Sequence, residues 1–143
     1  GVLVPELSWW LHEIEEHLQL CRCRGDHSAC AGGSLAILCS YLLSQDFEEK
    51  NFKVVSLANP KVGGPLFANN YNRINNIVCW RIVYDKDIVP LMPPIGYKHV
   101  GELIRIIPKY KRKRRLVNVI SDHHINNYVA GLMRISNPKT KFF

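Results

Sequence analysis

The sequence predicts an α/β protein with a mostly parallel sheet flanked by helices. Two β-branched runs, Phe52–Leu57 and Ile77–Val83, are each bounded by turn residues, as strands buried on both faces are. An apolar stretch of helical length, Gly33–Leu43, precedes the first of them. The second runs into an acidic cluster and a Pro-punctuated loop, which places a carboxylate at the carboxyl end of a sheet, where open α/β folds keep their chemistry.

The elements follow in order. Ser8 can cap a helix that carries Trp9, Trp10, Leu11, Ile14 and Leu18, with Glu13, Glu15 and Glu16 on other faces. Leu18–Cys23 reads as a short strand. In Gly33–Leu43 the residues Leu35, Ala36, Leu38, Cys39 and Leu42 recur at helical spacing, which predicts a buried helix. Pro65 opens a short helix through Tyr71, since Pro is pre-organised for a first helical turn. Glu102–Ile107 and Leu116–Ile120 read as a hairpin, and Asp122 is expected to cap a final helix through about Arg134.

With 143 residues, 47% apolar and 22% charged, the chain suits one domain spanning 1–143 rather than a disordered polymer. Five cysteines, at 21, 23, 30, 39 and 79, leave at least one thiol outside any internal pairing. Cys21-x-Cys23 has no second pair at metal-site spacing, so no zinc site is expected. Thiols in buried strands and helices fit an intracellular protein better than a secreted one. No run of about 20 apolar residues is present to cross a membrane.

The net charge of +7 concentrates at Lys109-Tyr110-Lys111-Arg112-Lys113-Arg114-Arg115, the expected hairpin tip. A solvated loop is the first reading, because only one aromatic is interleaved. Contact with an anionic membrane surface is the functional one. A nucleic-acid-binding module is the competing class, although no nucleic acid partner is expected.

Residues 83–100 read Val-Tyr-Asp-Lys-Asp-Ile-Val-Pro-Leu-Met-Pro-Pro-Ile-Gly-Tyr-Lys-His-Val. This resembles the acid segment of the fungal-type (class 3) lipases, N-D-x-D-I-V-P-x-L-P-P followed by G-Y-x-H-V-G, with Tyr84 and Met92 departing from it. Upstream, Val54 to Gly63 is similar to that family's V-Y-T-F-G-S-P-R-V-G, and Phe67-Ala68 to its F-A. Downstream, Asp122 to Tyr128 is similar to D-H-S-I-x-N-Y. The resemblance implies an α/β-hydrolase fold, a lipid ester substrate, no cofactor, and a triad in which Asp87 orients His123. Asp85 would then be a decoy, His99 a loop-packing residue and His124 solvent-facing.

The nucleophile corner of that family, G-H-S-L-G-G-x-L-A, matches less cleanly. Here the text is Gly25-Asp26-His27-Ser28-Ala29-Cys30-Ala31-Gly32-Gly33-Ser34-Leu35-Ala36. Keeping Gly32-Gly33 in register puts Cys30 at the nucleophile, flanked by Ala29 and Ala31. Matching His27-Ser28 to the His-Ser of the pattern gives Ser28 instead, with two extra residues before the glycines. Both registers stay open, as does a third reading in which the corner is broken and the site inactive. The oxyanion donor would be the backbone N–H after the nucleophile, at Ala29 or Ala31. Family members carry strands and a lid ahead of this corner, so a truncated α/β-hydrolase lacking them, and lacking the second oxyanion donor, is the expectation.

Overall fold

The computed structural model describes residues 28–108 and 122–136. The expected Ser8 helix, the Leu18–Cys23 and Leu116–Ile120 strands and the basic run at 109–115 lie outside the described residues. Helix α1 (Ser28–Asp46) leads to strand β1 (Phe52–Leu57), helix α2 (Pro65–Tyr71), strand β2 (Ile77–Tyr84), a 3-10 turn (Val89–Leu91), strand β3 (Glu102–Ile106) and helix α3 (Ile125–Ser136). The strands form one sheet in the order β1-β2-β3, with both pairs parallel. Parallel neighbours need crossovers, and α2 supplies the first of them.

Each face of the sheet carries its own core. Leu57, Ala58, Ile82, Tyr84 and Ile106 pack with Ile125, Tyr128 and Leu132 of α3. Val54, Cys79 and Val100 pack with Ile37 of α1 and with Ala68 and Tyr71 of α2. Burial on both faces explains why these strands read as continuous apolar runs. Together these features give the layered, parallel-sheet architecture of an α/β-hydrolase.

Three sequence expectations need correction. Helix α1 begins at Ser28, five residues before the expected start at Gly33, because Ala29-Cys30-Ala31 contains no breaker and alanine is the best helix former. Its buried positions are Gly33, Ile37, Ser40 and Ser44, whereas Leu35, Leu38 and Leu42 are exposed. The small residues are the physical reason. A Cβ at Gly33 would stand 3.1 Å from the Asn59 Cβ and 3.2 Å from the Ser56 Cβ, so the helix lies close against β1. The buried hydroxyls are satisfied locally: Ser40 donates to the Ile37 carbonyl at 2.8 Å, shares a 2.8 Å bond with the Tyr71 hydroxyl, and Ser44 donates to the Tyr41 carbonyl. Finally, Asp122 does not immediately precede α3, which starts at Ile125: a turn at 122–124 intervenes, and Asp122 is buried.

Candidate active site

β2 ends at Tyr84, and a tight turn follows in which the Asp87 N–H donates to the Tyr84 carbonyl at 2.9 Å. Asp85 sits at the bend with φ of 33°, a left-handed conformation that Asp tolerates better than most residues. Its N–H donates to the Ile106 carbonyl, and its own carbonyl accepts from Arg105 Nη1 at 3.3 Å, so Asp85 serves the turn. The turn lifts Asp87 off the strand and folds its carboxylate inward, where the side chain is fully shielded from solvent.

An ionised carboxylate without water is costly unless hydrogen bonds replace its hydration. Asp87 has three donors. The Val89 N–H reaches Oδ1 at 2.9 Å, His123 Nδ1 reaches Oδ2 at 2.9 Å and Oδ1 at 3.2 Å, and the Tyr128 hydroxyl reaches Oδ2 at 2.5 Å. Because the carboxylate only accepts, the hydrogen on His123 belongs on Nδ1 and the neutral ring keeps its lone pair on Nε2. Burial and the adjoining Asp87 raise the Tyr128 hydroxyl well above its ordinary pKa, so it stays a donor. His123 retains 14% side-chain exposure, unlike Asp87, and can meet a substrate.

The parallel sheet brings the corner residues to the same edge. Helix α1 runs back along β1, and Gly33 next to Ser56 and Asn59 sets its amino-terminal half at the carboxyl end of that strand. Asp87 follows the carboxyl end of β2. Ser28, Ala29, Cys30, Ala31, Gly32 and Gly33 all lie in the opening turns of α1, whose first residue is Ser28. A helix amino terminus presents unsatisfied N–H groups and a positive dipole end, a setting suited to a developing oxyanion.

The remaining candidates separate from this site. His99 is a packing residue: Nε2 donates to the Pro90 carbonyl at 2.6 Å. Burial, then the nearby Arg81 cation, depress its pKa to about 4. His124 is exposed. Sequence reasoning missed Tyr128 as a partner of Asp87, because nothing in the five-residue spacing from His123 says which buried acceptor a core tyrosine finds. Among the described residues, no three His, Cys, Asp or Glu side chains converge to hold a metal, and no helix is long and apolar enough to cross a membrane.

The family model for class 3 lipases matches residues 27–97, which include Ser28, Cys30 and Asp87. The chain belongs to the class 3 lipase family. It is 37% identical over 76 residues to a lipase of Rhizomucor miehei, a match covering 50% of this chain and 21% of that relative. It is 34% identical over 80 residues to a secreted mono- and diacylglycerol lipase of Malassezia globosa, covering 54% of this chain and 26% of the relative. The chain therefore spans about a quarter or less of these curated relatives.

Proposed function

We propose that this class 3 lipase-family protein hydrolyses carboxylic esters of acylglycerols or related lipids, as one domain and through an acyl-enzyme. The observation that carries the reading is the buried Asp87 carboxylate bonded to His123 Nδ1, at the sheet edge where α1 opens. An imidazole held this way offers Nε2 as a base and gains stabilisation when it becomes cationic. His123 removes the proton from Ser28 or Cys30, the oxygen or sulfur attacks the ester carbonyl, and the oxyanion meets N–H groups of the first turn of α1. His123 then gives the proton to the leaving alcohol, and water attacks the acyl-enzyme with the same residue as base.

Ser28 supplies the hydroxyl typical of the family and opens α1. Cys30 keeps the expected distance to Gly32-Gly33, and the approach of Gly33 to β1 favours that register. Hydrolysis of p-nitrophenyl esters by Ser28→Ala, Cys30→Ala and His123→Ala decides between them. Loss with only one of the first two changes identifies the nucleophile, provided that His123→Ala also loses activity.

Helical backbone on both sides of Cys30, where one register puts the corner, favours one second reading, a catalytically inactive relative that binds lipid or a partner. Equal, background-level turnover in the three variants and the unaltered protein supports it.

A further inference from the structure

Lys61 binds three consecutive carbonyls of the loop that follows Asp87. Its backbone N–H donates to the Met92 carbonyl at 2.8 Å, and its ammonium donates to the Leu91 and Pro93 carbonyls, each at 3.0 Å. An ammonium has only hydrogens to offer, and a charged donor bonds a carbonyl more strongly than a neutral one does. A cation also suits the outward carbonyls at the end of the Val89–Leu91 turn.

Between this clamp and the carboxylate the chain is short and internally bonded. The Leu91 N–H donates to the Ile88 carbonyl at 2.9 Å, the Met92 N–H to the Val89 carbonyl at 3.0 Å, and the Val89 N–H to Asp87 Oδ1 at 2.9 Å. His99 adds its bond to the Pro90 carbonyl. The hold on Leu91, Met92 and Pro93 therefore reaches Val89, which donates to the same carboxylate that holds His123.

The backbone from which Lys61 reaches is equally fixed. β1 ends into Ala58, whose φ of 53° is costly for a residue with a Cβ and persists only where the surroundings impose it. Ala58 is buried, and its N–H donates to the Ile82 carbonyl at 3.1 Å. Asn59, also buried, donates Nδ2 to the Pro60 carbonyl at 3.0 Å and lies against Gly33 of α1. The helix that carries Ser28 and Cys30 and the loop that bonds Asp87 are thus both tied to the exit of β1 at 58–61. We infer that Lys61 is a positioning residue for Asp87, a strut from that exit which keeps the carboxylate aligned on His123 and the pair at a fixed separation from α1. The inference rests on the hydrolase reading for the chemistry that this alignment serves. A displacement of about 1 Å among reacting groups costs on the order of 100-fold in rate.

The test compares the unaltered full chain with Lys61→Met, which keeps the stem and removes the donors, and Lys61→Arg, which restores a cationic donor, on p-nitrophenyl butyrate. Lys61→Met is expected to lower kcat about 10- to 100-fold with KM within about twofold. Lys61→Arg is expected to exceed Lys61→Met in kcat by about fivefold or more. Asn76→Ala is the control for lost stability, because Asn76 Nδ2 donates to the Lys50 carbonyl at 3.0 Å, at the opposite end of the sheet from Asp87. It is expected to lower the urea midpoint and leave kcat within about twofold. The inference is overturned if Lys61→Met keeps its kcat, if Asn76→Ala loses as much, or if Lys61→Arg is no better than Lys61→Met. Long-range proton–nitrogen spectra of the His123 ring read the same strut without turnover. The ring is expected to keep its hydrogen on Nδ1 in the unaltered protein and in Asn76→Ala, and to lose that preference in Lys61→Met. If the unaltered protein shows no turnover but the ring responds in this way, the hydrolase reading fails and the strut stands. A ring unchanged in Lys61→Met overturns the strut whatever the turnover.

Discussion

Tyr128 donates its hydroxyl hydrogen to Asp87 Oδ2, the oxygen that also holds His123 Nδ1 at 2.9 Å. The tyrosine is fully buried in the core that joins α3 to the sheet, so the packing of the fold and the orientation of the carboxylate are one structure. Tyr128→Phe keeps the ring and removes the donor. The expected result is a loss of about 1.5–3 kcal/mol in urea unfolding, the range for a hydrogen bond to a charged group.

Asp87→Asn keeps the volume but offers one acceptor oxygen and an amide where three donors converge. The histidine then has no carboxylate to fix its tautomer or to stabilise its cation. On ester substrates kcat is expected to fall on the order of 10⁴-fold with KM changed far less. Steady-state kinetics with circular dichroism as a fold control checks this.

Gly131 is where α3 meets β3, and a Cβ placed there collides with Ile106 Cγ2. Alanine would raise helix propensity by about 1 kcal/mol, but overpacking a branched core residue costs about 1–3 kcal/mol. The clash is expected to win. Gly131→Ala should lower the urea midpoint, and because α3 carries Tyr128 it should also reduce ester turnover.

His99 is held neutral, with a pKa of about 4 against about 6.5 in the unfolded chain, chiefly by burial and secondly by Arg81. The unfolded state therefore binds more protons between these values. This residue's contribution to stability is full above about pH 6.5 and is lost as pH falls toward 4. Urea unfolding from pH 7 to 4 should show a smaller acid loss for His99→Gln than for the unaltered protein.

The strands were legible because β1 and β2 are covered on both sides, so burial wrote itself into continuous β-branched runs between turn residues. Pro65 marked the start of α2 for a local reason, its fixed φ. Helix α1 was misread at its packing face. Apolar residues surround it, and contact is decided by which positions are small enough to approach β1, a property of the tertiary pair and not of periodicity. Asp87 and His123 were singled out by resemblance to a family pattern, and no local spacing relates residues 36 positions apart. Tyr128 and Lys61 were missed because a hydrogen bond to a distant acceptor leaves no periodic trace.

The central claim is that the Asp87–His123 pair acts as a base on an ester-attacking nucleophile. Its most direct test is kcat/KM for p-nitrophenyl butyrate with the unaltered protein and His123→Ala, both shown folded by circular dichroism. The account predicts measurable turnover in the first and a loss of about 10³-fold or more in the second. Equal kcat/KM for the two proteins would contradict it.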